Sequence, residues 1–256
     1  MLTPADVRGR TGEAESGVVF LLDVDNTLLD NDRFAADLGE RLQQDFGADG
    51  RDRYWALYAS VRETLGYADY LATLQQFRAG LDDDPDLLQM SGFMLDYPFA
   101  ARLYPGALAA VAHLRTLGTP VVLSDGDAVF QPRKVQRSGI WEAVQGRVLI
   151  YLNKQRMLDA MQRRFPAAHY VMVDDKPRLL AEMKSVLGDR LTTVFVRQGH
   201  YAREAVSQSI APPPDLMVER IGELAGFDLK RFGLQRFGPP MATAAGPPAP
   251  TGQEQP

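Results

Sequence analysis

Five apolar residues in unbroken succession, Val18 to Leu22, run directly into Asp23, Val24, Asp25, Asn26 and Thr27. This stretch constrains the chain more than any other. An apolar run without alternation reads as a strand covered on both faces, the situation at the centre of a parallel sheet. Length alone leaves a buried helical piece open, but the Val and Phe content and the turn-forming D-N-T favour a strand. Ligands bind open parallel sheets beyond the carboxyl ends of the strands, which is where this sequence turns from apolar to acidic. Asp23 and Asp25 then stand two residues apart at the sheet rim. At about 4 Å and an effective dielectric near 20, two uncompensated carboxylates repel by roughly 4 kcal/mol, so a cation or a shared proton is expected between them. The bland alternative is an acidic turn that only terminates a strand.

The remaining strands follow the same pattern. Thr119–Ser124 is a short apolar strand ending in S-D-G-D, and Arg147–Tyr151, Ala168–Val173 and Leu191–Val196 are three more. Asp215–Val218 is a marginal sixth. Helices are expected at 104–118, 132–138, 154–165, 179–187 and 221–224, the first started by Pro105 and stopped by Gly118. Short apolar strands alternating with helices predict an α/β fold, a doubly wound, Rossmann-like parallel sheet.

Between 32 and 97 the pattern changes. Phe34, Leu38, Leu42 and Phe46 recur at fours behind Asn31 or Asp32 as caps; Tyr54, Leu57, Tyr58, Val61 and Leu65 form a second face; Tyr70, Leu74 and Phe77 a third. Pro85 suits the first position of one more helix. Without strand signals, this reads as an all-helical insertion placed after the first strand. The expected organisation is a loose lead-in over 1–16, an α/β core made of 17–31 and 98–237, a helical cap over 32–97, and a tail over 238–256. The tail is rich in Pro, Gly and Ala and cannot repay its ordering entropy.

Composition sets limits on function. A net charge of −5, with Lys and Arg dispersed, argues against a nucleic-acid partner. No window approaches twenty apolar residues, so no membrane span is expected, and the amino terminus lacks a segment of signal-peptide type. The 256 residues include no cysteine, which removes disulfides and thiolate metal sites and suits a reducing cytoplasm.

Three strand ends carry acidic or hydroxyl groups: Asp23 and Asp25, Ser124, and Asp174 with Asp175. Lys154 precedes the last pair. Oxygen donors without His or Cys suit Mg²⁺ rather than zinc, with phosphate as the usual bridging ligand. Alone, Asp174–Asp175 ahead of Pro177 would read as a helix cap. Other residues carry weaker signals. His113 reads as packing, while Arg197 and His200 could reach the rim. Asp125 and Asp127 orient the loop after Ser124 or cap the next helix. Arg62 and Arg78 are exposed helix residues or contacts to a substrate anion, and Lys176 competes with Lys154 for a phosphate.

D-V-D-N-T from Asp23 to Thr27, Ser124 after V-V-L, Lys154, and Val173-Asp-Asp175 occur in an order that resembles the haloacid dehalogenase-like hydrolases, over roughly residues 18 to 197. The resemblance implies Asp23 as nucleophile, Asp25 as general acid and base, and Thr27 as a brace for the loop. It also implies that Ser124 and Lys154, with Asp125 nearby, hold phosphoryl oxygens. Around Mg²⁺ it sets Asp23, the backbone carbonyl of Asp25, and Asp174 or Asp175. The helical insertion becomes a mobile cap over the substrate. The expected activity is Mg²⁺-dependent hydrolysis of a small-molecule phosphate ester through an aspartyl phosphate. A phosphomutase or a 2-haloacid dehalogenase shares the fold. The family's carbon–halogen hydrolases lack an acid at the place of Asp25, and a non-catalytic interaction protein would be expected to have lost one of Asp23, Asp25 or Lys154.

Overall fold

The computed structural model describes residues 17–81, 84–205 and 209–237. The expected lead-in over 1–16 and tail over 238–256 lie outside the described residues. Six strands form one parallel sheet: β1 (Val18–Leu22), β2 (Thr119–Asp125), β3 (Val148–Tyr151), β4 (His169–Asp174), β5 (Leu191–Val196) and β6 (Leu216–Val218). Their order is β3-β2-β1-β4-β5-β6. The chain winds outward from β1 in one direction and resumes at β4 in the other, so the switch point lies between β1 and β4. Val18 pairs with His169 and Leu22 with Val173 in register, which brings Asp23 and Asp174 to adjacent strand ends. The Asp23 N–H continues the ladder by donating to the Val173 carbonyl at 3.0 Å.

β1, β4 and β5 are buried at every position, and apolar layers cover both faces. That double cover is why these segments read as continuous apolar runs. The marginal sixth strand is real and pairs with β5. The helix foreseen at 104–118 is α4 (Ala107–Leu117), which starts after Gly106 rather than at Pro105. It ends at Gly118, whose backbone is extended at φ −179°, so conformational freedom is not its reason. Close approach is: a Cβ there would lie 2.3 Å from the Val18 carbonyl oxygen.

Two further expectations need correction. The helix placed at 154–165 is divided into a 3₁₀ turn, Lys154–Arg156, and α7 (Leu158–Arg164). The tight turn closes when the Lys154 N–H donates to Asp125 Oδ1 at 2.6 Å, an oxygen that no periodicity argument contains. The chain from 199 to 205, with no helix foreseen, forms α9 (Gly199–Ala205). Its single turn of apolar signal is too short to read as a period. The core's other helices are α5 (Phe130–Arg137), α6 (Ile140–Ala143) and α8 (Pro177–Leu187), the last with Pro177 in its first turn.

The insertion is helical throughout its described residues: α1 (Asn31–Leu65), α2 (Tyr70–Phe77) and α3 (Pro85–Asp96). The first two expected helices are one element broken at Gly47, where φ is +71°. Asp30, not Asn31 or Asp32, caps α1 by accepting the Arg33 N–H at 2.9 Å. The insertion leaves and rejoins the core at neighbouring points. The Asp30 N–H donates to the Arg102 carbonyl and the Tyr104 N–H to the Leu28 carbonyl.

Two outcomes follow from this packing. Gly118→Ala should destabilise the protein by about 1–3 kcal/mol, as overpacking does, in urea unfolding; an unchanged midpoint would mean that β1 and β2 can separate freely. His169, at the start of β4, shares a 2.9 Å bond between Nε2 and Thr192 Oγ1, while its Nδ1 is buried without a partner. Burial and the nearby Arg236 and Lys184 lower its pKa from 6.5 to about 4. A depressed pKa makes the unfolded chain bind the proton first, so stability present above pH 6.5 is lost as pH falls toward 4. His169→Gln should remove that part of the acid slope in unfolding titrations between pH 7 and 4; parallel slopes for both proteins would contradict it.

Candidate active site

At the carboxyl ends of β1 and β4 an ammonium joins two carboxylates. Lys154 Nζ lies 2.5 Å from Asp23 Oδ1 and 2.7 Å from Asp174 Oδ2, and all three side chains are almost fully buried. A third contact, at 3.3 Å, goes to the Leu123 carbonyl. The 3₁₀ turn after β3 aims Lys154 inward across the ends of β2 and β1. Burial alone would lower the Lys154 pKa, but Asp174, Asp23 and Asp125 raise it above the ordinary lysine value. The other Asp23 oxygen accepts from Thr27 Oγ1 at 3.2 Å, so both are held.

Asp23, Asp174 and Asp175 each offer a carboxylate oxygen within 4.8 Å of the others, all buried. The Asp174 Oδ1 atom accepts the Lys176 N–H at 2.8 Å. Both Asp175 oxygens are buried and without a hydrogen-bond partner; Asp174 Oδ2 has the Lys154 charge beside it but no well-directed hydrogen bond. Burial, then the neighbouring Asp174, pushes the Asp175 carboxyl well above its usual range, and burial raises Asp174 as well. Unsatisfied hard oxygen donors converging in a dry site, without imidazole or thiolate, fit a divalent cation of the Mg²⁺ type. Lys176, the rival for the phosphate-binding role, stands at the same rim. Desolvation opposes its charge, yet Asp23 and Asp174 raise its pKa.

The Asp25 carboxylate turns away from this cluster. Its two oxygens lie 2.8 and 3.0 Å from Lys134 Nζ, and Gln131 Nε2 approaches Oδ2 at 3.4 Å. Gln131 also donates to Ser124 Oγ at 3.0 Å, which ties the ends of β1 and β2 through one amide. Gln131 and Lys134 sit three apart on α5, hence on one face. Neither was singled out in the sequence. A lysine in F-Q-P-R-K-V-Q-R looks like a solvated helix residue, and only its burial, at 1% exposure, shows otherwise.

The turn between the two aspartates and the cap is held by Asn26, at φ +61°, a left-handed conformation that Asn tolerates. Its Oδ1 accepts the N–H groups of Asn31 and Asp32, each at 3.1 Å, and so holds the first turn of α1. His200 does reach this rim, with Nδ1 2.5 Å from Asp32 Oδ1. Arg197 does not; it pairs with Glu219 at the surface. His113 meets the Phe227 carbonyl, a packing role. Asp125 orients the Lys154 turn, while Asp127 caps the start of α5 through the Phe130 N–H at 2.6 Å. Arg62, from α1, bonds the Tyr201 hydroxyl across the mouth of a cavity of about 400 Å³ lined also by Asp125, Gln155 and Lys176. A cavity of about 570 Å³ lies around His169 and Thr192, away from Asp23, Asp174 and Asp175, and one of about 700 Å³ is lined by Gly126, Ile150, Asn153 and Arg156 on the segments that follow Ser124 and flank Lys154.

The haloacid dehalogenase-like hydrolase family model matches residues 18–185. Among solved structures, a haloacid dehalogenase-like hydrolase from Burkholderia xenovorans LB400 is 56% identical, with a TM-score of 0.77 over 83% of this chain and 99% of that one. The L-2-haloacid dehalogenase of Xanthobacter autotrophicus shares the fold at 19% identity and a TM-score of 0.52, covering 83% of this chain and 98% of its own. A HAD-hydrolase from Bacillus subtilis, solved bound to magnesium, has 15% identity and a TM-score of 0.56 over 82% and 97% of the two chains. No curated protein matches the chain. Among the described residues no helix is long and apolar enough to cross a membrane.

The crowding of Asp175 against Asp174 sets an expectation that needs no substrate. Asp175→Asn should raise the metal-free melting midpoint by about 2–4 °C, the equivalent of ~1 kcal/mol in a chain of this size. Mg²⁺ at about 100 times its Kd should stabilise the wild type by ~2.7 kcal/mol and the variant much less. A wild type indifferent to divalent cations, or a variant that keeps the full response, would contradict the site.

Proposed function

The chain belongs to the haloacid dehalogenase-like hydrolases, and on that premise we propose that it is a Mg²⁺-dependent phosphatase acting on a small phosphorylated metabolite through an aspartyl phosphate. The observation that carries this reading is the division of labour between two aspartates on one turn. Asp23 lies in the cation-binding cluster beside Lys154, whereas Asp25 lies outside it with its own partners, Lys134 and Gln131. A nucleophile needs the first environment, and a proton carrier needs to be separate from it.

In this reading an Asp23 oxygen attacks phosphorus as the ester P–O bond breaks, and Asp25 gives its proton to the departing alkoxide. Water then attacks the same phosphorus, Asp25 takes a proton from it, and the P–O bond to Asp23 breaks to restore the carboxylate. Lys154 and the Ser124 hydroxyl hold phosphoryl oxygens as their charge redistributes. Thr27 keeps Asp23 aimed, and Asp125 fixes the turn that carries Lys154. Asp23, Asp174, Asp175 and the Asp25 carbonyl would hold Mg²⁺, which when bound supplies positive charge that lets an anionic nucleophile approach an anionic phosphate. The acid at position 25 favours ester cleavage over carbon–halogen hydrolysis, since a halide leaves without a proton. The cap over 32–97 closes on the substrate in this reading, and excludes bulk water from it.

The two aspartates should be separable by leaving group. Asp23→Asn should abolish turnover. Asp25→Asn should lose about 10²–10⁴ in rate on alkyl phosphates and markedly less on a nitrophenyl phosphate, whose leaving group needs little protonation. Single-turnover release of alcohol or nitrophenol reads this directly. Equal losses on both esters would show that Asp25 is not the acid, and a wild type without phosphate release in Mg²⁺ across a panel of phosphate esters would refute the phosphatase reading.

A further inference from the structure

The mechanism above leaves Lys134, like Lys176, without a task, and the surroundings of Lys134 are unusual. Its side chain is 1% exposed. The ammonium lies 5.9 Å from the ring centre of Phe34, 5.8 Å from Tyr70, 5.9 Å from Phe99 and 5.4 Å from Phe130. Four aromatic rings around one ammonium attract it through their π faces and exclude water. Its remaining directions go to both oxygens of Asp25 and to Asn31 Oδ1 at 2.9 Å.

The box is assembled from two parts of the molecule. Phe34 belongs to α1 and Tyr70 to α2, both in the cap, whereas Phe130 and Lys134 belong to α5 in the core, and Phe99 lies on the segment returning from the cap. Asn31, the first residue of α1, is itself tied to the Tyr70 hydroxyl at 3.2 Å. Movement of α1 or α2 would therefore remove rings and a hydrogen-bond acceptor from Lys134 together and admit water to the pair. The pair is buried on the Lys134 side, while the Asp25 side chain is 27% exposed. Burying an ammonium in this way is seldom favoured for stability alone, because an apolar residue of similar size often does as well.

We propose that Lys134 is a positioning residue for Asp25, coupling the place of the cap to the orientation of the acid–base carboxylate. With the box closed, Lys134 and Gln131 together hold Asp25 in one orientation. With the cap displaced, the ammonium hydrates and Asp25 is released. The proton-transfer step thus becomes effective only when the cap covers the site. This inference rests on the phosphatase reading for its kinetic consequence but not for its geometry.

The test uses Lys134→Met, which keeps the length and packing and removes the charge. A misplaced acid costs about 10²-fold, so turnover of an alkyl phosphate should fall by that much and of a nitrophenyl phosphate by at least tenfold less. In the Asp25→Asn background, Lys134→Met should cost nothing further. Phe34→Leu, which opens the box from the cap side, should give the same leaving-group pattern at smaller size with its fold intact. Equal losses on both esters, an undiminished loss in the Asp25→Asn background, or a wild-type pattern in Phe34→Leu would overturn the proposal. Crystal structures of wild type and Lys134→Met decide the matter even if no ester is turned over. An Asp25 carboxylate that leaves Gln131 in the variant supports the coupling, and one that stays in place overturns it.

Discussion

Everything at this site depends on one ammonium among carboxylates. Lys154 bridges Asp23 at the end of β1 and Asp174 at the end of β4, the pair of strands that flanks the switch point of the sheet. Two buried carboxylates on adjacent strands would otherwise repel across a dry gap, and the cost falls on the sheet's centre rather than on a loose loop. With Lys154 between them the strand ends can close, but Asp175 remains uncompensated, its two oxygens buried and unpaired. An Asp175 oxygen and one each from Asp23 and Asp174 lie within 4.8 Å of one another, a set of hard donors that could hold a divalent ion.

The sheet and the cap meet through the turn that carries the chemistry. Asn26 sits between Asp25 and Thr27 in a left-handed conformation and holds the first turn of α1 with its side-chain oxygen. Gly199, the first residue of α9, approaches Asn26 so closely that a Cβ there would lie 2.4 Å from the Asn26 Cβ. The nucleophile turn, the cap's first turn and the start of α9 are thus packed as one unit. A cap anchored this way cannot shift without some consequence at the aspartates, and the aromatic box around Lys134 is where that consequence is most direct.

Much of this was legible in the residues. The acidic end of β1 was readable because all five of its doubly covered residues are apolar up to the point where the chain leaves the sheet. Asp174, Asp175 and Ser124 follow from the same rule applied at other strand ends, whereas Lys154 follows from its place in the order of motifs that resembles the family. What could not be read were residues whose role depends on helix orientation. Lys134 and Gln131 look like ordinary polar residues on a short helix, and only the packing of α5 under the cap turns them inward. The rings of Phe34 and Tyr70 have helical spacing, which correctly predicts burial but does not say that they enclose a charge. Gly47 is another case: periodicity on either side of it is helical, and nothing local says that the two segments continue as one broken helix rather than turn back. Long-range contacts made these choices, not propensity.

In the proposed reaction the Asp23 carboxylate, held by Lys154 and Thr27, becomes covalently bound to phosphorus. Borohydride reduces an aspartyl phosphate to homoserine and leaves a free carboxylate untouched. The decisive measurement is therefore mass spectrometry of the peptides spanning 18–29 and 169–176 after mixing enzyme, Mg²⁺ and a turned-over phosphate ester, acid quench and borohydride reduction. Homoserine is expected at position 23, with aspartate unchanged at 25, 174 and 175. Homoserine at any of those three instead, or aspartate intact at 23 during demonstrated turnover, would contradict it.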